Sequence, residues 1–574
     1  MKRFLLGVLA GIVFCGLALV IVFFVAIRVS ARPPSIPAGS ILAFTVEGDI
    51  PESPPIEVPL PLFQQARPPT VRDNWELLRK AAADSRIRAV VFMPRNLNVG
   101  WAKLQELRDN LLAFRKSGKP LYAFLRAPGA REYYVAAAAE RIYMPPEDFL
   151  DLKGLRAELI FVRNTLDKLG VRVEMETAGK YKDFPEMFTR TSASPESRRV
   201  INAILDDLYG QLTSAIGDAR KKTPEEVRAT IDRGPFNSQE ALAAGLVDGL
   251  WYEDQVFGEL QRRLKVPEVR RVSRHDYMRV PPQSVGVETG SRVAFVVASG
   301  DIVRGGEAMS PLGDFLSPPQ FTRLLRRVGS DREIKGVIVR IDSPGGDGFA
   351  SDEIWREMML LSKKKPVVIS MSDVAASGGY YIAMTGDPVI AYPGTYTGSI
   401  GVFYGKAYLR DLYGKLGIQK ELFSRGRFAD IDSDYTPLSP EGRQKLRENI
   451  EAFYRSFVQR VAEARRKPYE QIAPVAEGRV WLGAQAQANG LVDSLGGIEH
   501  AIELLKKKAG IPESDDVRLI SYPPSRTLWE QVFSPEAREP LLDSPALRRL
   551  ARFASSTWAQ GGFFKLMPYW IEVK

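Results

Sequence analysis

The hydrophobic pattern of this chain opens as an unbroken block and then turns periodic. From Phe4 to Ile27 run 24 residues without a charge, against the roughly 20 needed to cross a hydrocarbon core. A cleavable signal peptide has a shorter apolar core of about 7–15 residues. The length therefore predicts a retained transmembrane helix within residues 1–31, although "VSA" at Val29–Ala31 offers a cleavage site. Lys2 and Arg3 favour the N-terminus inside, while Arg28 and Arg32 on the other flank pull against that orientation. The bulk of the chain is then expected outside the cytoplasm.

Beyond the block, short β-branched runs alternate with longer amphipathic stretches. "GVIVRID" (336–342), "PVVISMS" (366–372) and "PVIAYP" (388–393) are apolar runs bounded by Gly, Pro or Asp and predict strands. "SDEIWREMMLLSKKK" (351–365) has helical apolar spacing behind a Ser N-cap. Strand–helix alternation predicts an α/β fold with parallel pairing. Pro-rich breaks fall at Arg32–Pro37 and Pro51–Pro69, and a basic connector spans 266–290. The apolar end, "FFKLMPYWIEVK", is too short to span a membrane and is expected to pack on the body or on a neighbouring subunit.

The periodic part occurs twice. "SRIRAVVFMPR" (85–95) matches "REIKGVIVRID" (332–342), and "KPLYAFL" (119–125) matches "KPVVISM" (365–371). "EYYVAAAAERIYMPP" (132–146) matches "GYYIAMTGDPVIAYP" (379–393), and "DKLGVRVEMETAGKYKD" (167–183) matches "GKLGIQKELFSRGRFAD" (414–430). "SPESRR" (194–199) pairs with "SPEGRQ" (439–444), and "AAGLVDGL" (243–250) with "ANGLVDSL" (488–495), at an offset that stays between 245 and 247. Such order predicts two tandem domains of one fold. They occupy 32–265 and 291–512, flanking the connector 266–290, with an anchor at 1–31 and a tail at 513–574.

Composition narrows the class. A chain of 574 residues, 45% hydrophobic and 26% charged, reads as a multidomain globular protein. The net charge of +10 comes without a Lys/Arg block interleaved with aromatics, so no nucleic-acid partner is expected. Proximity to anionic lipid is the milder reading. The one cysteine, Cys15, lies in the apolar block, leaving the rest free of thiols that could mispair in an oxidising compartment.

Where two copies agree, the fold is the simpler explanation; where they differ in chemistry, function is. Aligning Tyr133-Tyr134 with Tyr380-Tyr381 places Ser377 opposite Ala130, and the "DSPGGD" of 342–347 opposite "RNLNVG". Aligning Gly179 and Asp183 with Gly426 and Asp430 places Lys182 opposite Ala429. One copy keeps a serine, the other a lysine. A lysine whose ammonium is disfavoured can act as general base for a serine attacking a carbonyl, and Ser-Lys versions of the hydrolytic machinery exist. The oxyanion needs backbone N–H donors, for which Gly378 plus one of Gly345 or Gly346 are the candidates.

Other readings exist for these residues. Ser377 fits a strand-to-helix cap. Lys180 is an alternative base, though it aligns with Arg427, so a plain surface cation suffices. The two histidines, His275 and His500, lie far from Ser377 in the chain. There is no G-x-S-x-G elbow, and Ser362-x-x-Lys365 lacks its companion motifs. No Cys/His metal spacing and no phosphate loop occur, so neither metal nor cofactor is expected.

"DSPGGD", "SDVAASGGYYIA", "TGSIGV" (397–402) and "GKYKD", together with the anchor and both repeats, resemble the signal peptide peptidase A (protease IV) family in its long tandem-domain form. The resemblance covers nearly the whole chain. It implies two Clp protease/crotonase-like α/β domains behind an N-terminal transmembrane helix, and a serine endopeptidase with a Ser/Lys dyad acting on released signal peptides. Residue by residue, the nucleophile falls on Ser377, the base on Lys182 rather than Lys180, the turn glycines on Gly345 and Gly346, and a supporting serine on Ser399. Asp183 departs from the Ser found after the lysine in some members. The family also implies a bacterial inner-membrane location with the domains on the periplasmic side, lipid contact through the N-terminal helix, and a ring- or bowl-shaped homo-oligomer, with a tetramer favoured. A non-hydrolytic scaffold or acyl-thioester-binding protein of the same fold is the alternative.

Overall fold

The central strands of both repeats, Ile87–Arg95 and Gly336–Ser343, are buried almost end to end. Strands covered on both faces need continuous apolar runs, not alternation. The computed structural model describes residues 34–54, 68–268, 270–304, 315–523 and 562–567, together with Gly11 and Phe14. The expected anchor, apart from those two residues, lies outside the described residues, as does most of the tail. Among the described residues no helix is long and apolar enough to cross a membrane.

Each half builds a sheet. The first runs in the order Gly249–Leu250, Arg141–Met144, Leu121–Phe124, Ile87–Arg95, Ser40–Glu47, Arg270–Ser273, with every neighbour parallel. Its last strand comes from the basic connector. The second runs Val480–Leu482, Tyr396–Gly398, Val367–Ala376, Gly336–Ser343, Ser291–Ser299, Val517–Tyr522, and only Val480–Leu482 is antiparallel.

The repeat extends to individual bonds. The helices Pro195–Arg220 and Pro440–Arg465 are each 26 residues long. Each begins on a serine, Ser194 or Ser439, whose hydroxyl accepts a backbone N–H of the first turn. Each has proline in that turn, where no N–H is missed. The shared tyrosines also do equivalent work. Tyr133 donates to the carbonyl of Leu246 (2.6 Å) and Tyr380 to that of Leu491 (2.8 Å). Asp248 and Asp493 both accept from a strand N–H at 2.7 Å, and pair with Arg220 and Arg465. These residues serve the fold in both copies.

A third sheet belongs to neither half alone. Its order is Phe315–Leu316, Asp301–Ile302, Gly345–Asp347, Gly562–Leu566, Val402–Tyr408, Arg172–Ala178. Arg172–Ala178 of the first half pairs antiparallel with Val402–Tyr408 of the second, from Val402 opposite Ala178 to Tyr408 opposite Arg172. The tail, expected on the body or on a neighbour, supplies Gly562–Leu566 to the body of its own chain.

Charge locks the halves together. The guanidinium of Arg340, fully buried, donates to Glu52 (3.0 Å) and Glu106 (2.6 Å) of the first half and to Ser370 (3.0 Å) and Ser372 (3.2 Å) of its own. Burial lowers its pKa, but Glu106 and Glu52 more than reverse this, so it stays charged. Lys103 of the first half reaches Asp342 at 2.8 Å. Asp373 accepts the N–H groups of Gly100 (3.0 Å) and Lys103 (2.9 Å) and so caps the first-half helix Trp101–Arg115 from across the interface. Gly100 has to be glycine here, because a Cβ would run into the Asp373 carboxylate.

Candidate active site

Ser377 stands between strand Val367–Ala376 and the short helix Gly378–Ile382. Its backbone has φ 53° and ψ −113°, a conformation non-glycine residues rarely adopt. The surroundings hold it there: Ser377 N–H donates to Gly398 C=O and Tyr381 N–H to Ser377 C=O, both at 2.8 Å. Strained backbone maintained by its neighbours marks functional positions.

Lys182 arrives from the other half. Ala178 ends its strand opposite Val402, so the turn that follows lies beside Ser399–Gly401. Lys182 N–H bonds back to Gly179 C=O at 3.0 Å. Nζ of Lys182 lies 2.8 Å from Oγ of Ser377, and 3.0 Å from both the carbonyl oxygen and Oγ of Ser399. All three side chains are buried; Lys182 is 3% exposed, and Ser377 and Ser399 are 0% exposed. Lys180, the other candidate base, is at the surface and paired with Glu477 at 2.8 Å. An extended segment would have pointed Lys180 and Lys182 the same way; the turn separates them. Asp183 accepts from Ser197 Oγ at 2.6 Å, fastening the loop to the start of the long first-half helix. His500 is bonded to Ser494 and Glu503.

The glycine candidates lie alongside. Gly345 and Gly346 have φ of 101° and 150°. A Cβ on Gly346 would run into the Ile302 carbonyl oxygen, so the third sheet admits only glycine there. Gly345 N–H donates to Ser343 Oγ at 3.2 Å. The Ser343 carbonyl packs against Gly379, so this strand starts against the helix that Gly378 opens. Gly378 N–H belongs to the first turn, which has no intrahelical partners.

A further stretch, Glu477–Arg479, completes the site without standing out in the sequence. Tyr181 N–H donates to Glu477 C=O, Gly478 N–H to Ile400 C=O, and Ser399 N–H to Arg479 C=O, each at 2.8 Å. This stretch stitches the lysine turn to the Ser399 segment. It works mainly through main-chain atoms, and its one residue-type signal is Gly478, whose φ is 80° and whose Cβ would run into the Lys182 backbone. Asp342 was visible only as part of a turn motif; it also accepts Val374 N–H at 3.1 Å, bracing the strand that leads to Ser377.

Residues 113–267 and 359–512 match the model of peptidase family S49. The chain is 34% identical to a chloroplastic serine protease SPPA of Arabidopsis thaliana over 86% of this chain and 73% of that one. It is 30% identical to protease 4 of Salmonella typhi, over 85% of this chain and 80% of that one. It is also 30% identical to protease 4 of Haemophilus influenzae, over 68% and 65%. Among solved structures it is similar to ClpP1 from Listeria monocytogenes, at 16% identity over 36% of this chain and 91% of that one, with a TM-score of 0.22. On the family match and the curated relatives, the chain belongs to peptidase family S49 and is a serine protease of the protease 4 (SppA) type.

Proposed function

We propose that Ser377 is the nucleophile and Lys182 the general base of this protease, and that its substrates are extended apolar peptides, signal peptides released in a membrane among them. The observation that carries the reading is the 2.8 Å approach of Nζ to Oγ in a buried site. Burial favours the neutral form of an amine. A neutral amine has two N–H donors and one lone pair. The two oxygens of Ser399 can take the donors while the Ser377 hydroxyl gives its proton to the lone pair. Oγ then attacks the peptide carbonyl, and the oxyanion is received by N–H of Gly378 and of Gly345 or Gly346. The lysine ammonium returns the proton to the leaving amine. The neutral amine so regenerated next takes a proton from the water that releases the acyl group.

The apolar run Phe4–Ile27 supports an anchor in a bacterial inner membrane, with both halves outside the cytoplasm. A homo-oligomer is part of the same reading. The pairing of Arg172–Ala178 with Val402–Tyr408 is made once within the chain. By the repeat offset its counterparts are 419–425 and 155–161. These two form no ladder with each other, and they expose Ile160 (70%), Leu422 (47%) and Phe423 (81%). Joined between copies, they would repeat the internal pairing around a ring.

The test uses Ser377→Ala and Lys182→Ala in the full chain, assayed on an apolar peptide and with a serine-directed phosphonate. Each substitution is expected to lower kcat by about 10⁴-fold or more, and Ser377→Ala to abolish labelling. Full activity in either variant would overturn the dyad.

A further inference from the structure

The slot beside the glycine strand is already filled. Gly562–Leu566 lies between Gly345–Asp347 and Val402–Tyr408 and pairs antiparallel with both. Leu566 stands opposite Gly345, Lys565 opposite Gly346, and Phe564 opposite both Asp347 and Phe403. Without this segment the third sheet would divide, and two edges with unpaired N–H and C=O groups would face each other one strand-width apart. An extended peptide is the ligand that fits such a gap, since main-chain pairing on both sides accepts many sequences.

The direction of the tail matters. Running antiparallel to the glycine strand, it ends at the Ser343–Pro344 side, where Met567 N–H donates to Pro344 C=O at 2.7 Å. That is the side on which Ser343 packs against Gly379, two residues from Ser377. Met567 is 5% exposed and belongs to the same buried cluster as Tyr181 and Ala376, the residues that precede Lys182 and Ser377. The tail strand also approaches the helix that begins at Gly378. Its sequence, "GFFKLM", is itself an apolar peptide.

We infer that residues 562–567 are an intramolecular ligand of the peptide slot, seated with Met567 toward the dyad, and that a substrate peptide has to displace them. This rests on the serine-protease site proposed above. Being covalently attached, the tail acts at an effective concentration on the order of 1 mM. It therefore outcompetes free peptides of ordinary affinity.

The probe is a fluorescein-labelled peptide of sequence GFFKLM, titrated by anisotropy into full-length Ser377→Ala, so that no turnover intervenes. Lys565→Pro in that background places proline in a strand paired on both sides, which removes a ladder N–H. The probe is expected to bind the double variant on the order of tenfold more tightly, as the tethered competitor is lost. Equal or weaker binding overturns the inference, as does failure to bind either protein. A second measurement does not depend on the proline variant folding. Saturating probe added to Ser377→Ala should accelerate amide exchange in 562–567, and unchanged exchange with the probe bound overturns the inference. Phosphonate labelling of unsubstituted protein separates the two readings. Labelled Ser377 with an undisplaced tail sinks the ligand role alone, whereas a displaced tail with unlabelled Ser377 sinks the nucleophile assignment alone.

Discussion

Replacing Arg340 by methionine should weaken the union of the two halves by a predictable amount. Methionine preserves much of the stem volume and removes the charge. Glu52 and Glu106, which flank the guanidinium at 3.0 and 2.6 Å, would then be buried without it. Lys103 cannot stand in, being committed to Asp342 at 2.8 Å. Burial already pushes the Glu106 carboxyl above its ordinary value against the pull of Arg340, so losing the arginine leaves this buried carboxylate to the Ile498 N–H, which donates to it at 2.8 Å. Breaking a buried pair by removing one partner costs about 3–5 kcal/mol. At roughly 2–4 °C per kcal/mol for a unit of 150–250 residues, Tm should fall by about 10 °C. Thermal unfolding of the full chain at matched scan rate reads this directly. Adding Glu106→Gln to Arg340→Met should recover part of the loss, since one uncompensated carboxylate is gone. A fall under about 2 °C, or a double variant no more stable than the single, would refute the account.

Three further outcomes are expected. Burial pushes Asp373 from 3.8 up to about 6, with Lys103 opposing and Asp342 adding. The folded chain thus keeps this proton to higher pH than the unfolded chain does. Its stabilising contribution is complete below about pH 4 and is lost as pH rises through about 6, a change on the order of 3 kcal/mol; Asp373→Asn should flatten the stability profile measured across that window. Ser399→Ala removes one of the oxygens on Lys182 Nζ and should lower kcat about tenfold with KM little changed, so an unchanged kcat argues against a supporting role. Glu158→Cys with Leu422→Cys places thiols on the counterparts of Gly405 and Met175, which face each other within the chain. Oxidation should give a disulfide-linked ladder of copies on a denaturing gel, and only monomer would count against the ring.

Much of this was readable in the chain because the chain contains its own comparison. Ser377 and Lys182 stood out because each has an inert counterpart, Ala130 and Ala429. Tyr133 and Tyr380 were assigned to the fold because both copies keep them, and their matching bonds to Leu246 and Leu491 show the shared job. What stayed hidden lacks either a counterpart or a side-chain signature. Glu477–Arg479 acts through carbonyls and N–H groups. Asp373 caps a helix that starts 273 residues earlier in the chain, at Gly100. The strand at Gly562–Leu566 lies outside the repeat, so no alignment of the two halves could assign it a partner.

The third sheet also sets the order of events during synthesis. Lys182 leaves the ribosome first, but its turn is pinned by Glu477 and its functional neighbours arrive with Ser377 and Ser399. At about 5–20 residues per second, the interval between residues 182 and 479 is on the order of 15–60 s. With Lys182 and Ser377 in the roles proposed above, the nascent chain carries through that time a base without a nucleophile, then a nucleophile whose base is not yet held. On that proposal the peptidase would have no working site until both halves had emerged and docked, and would not cut its surroundings, or itself, while half made.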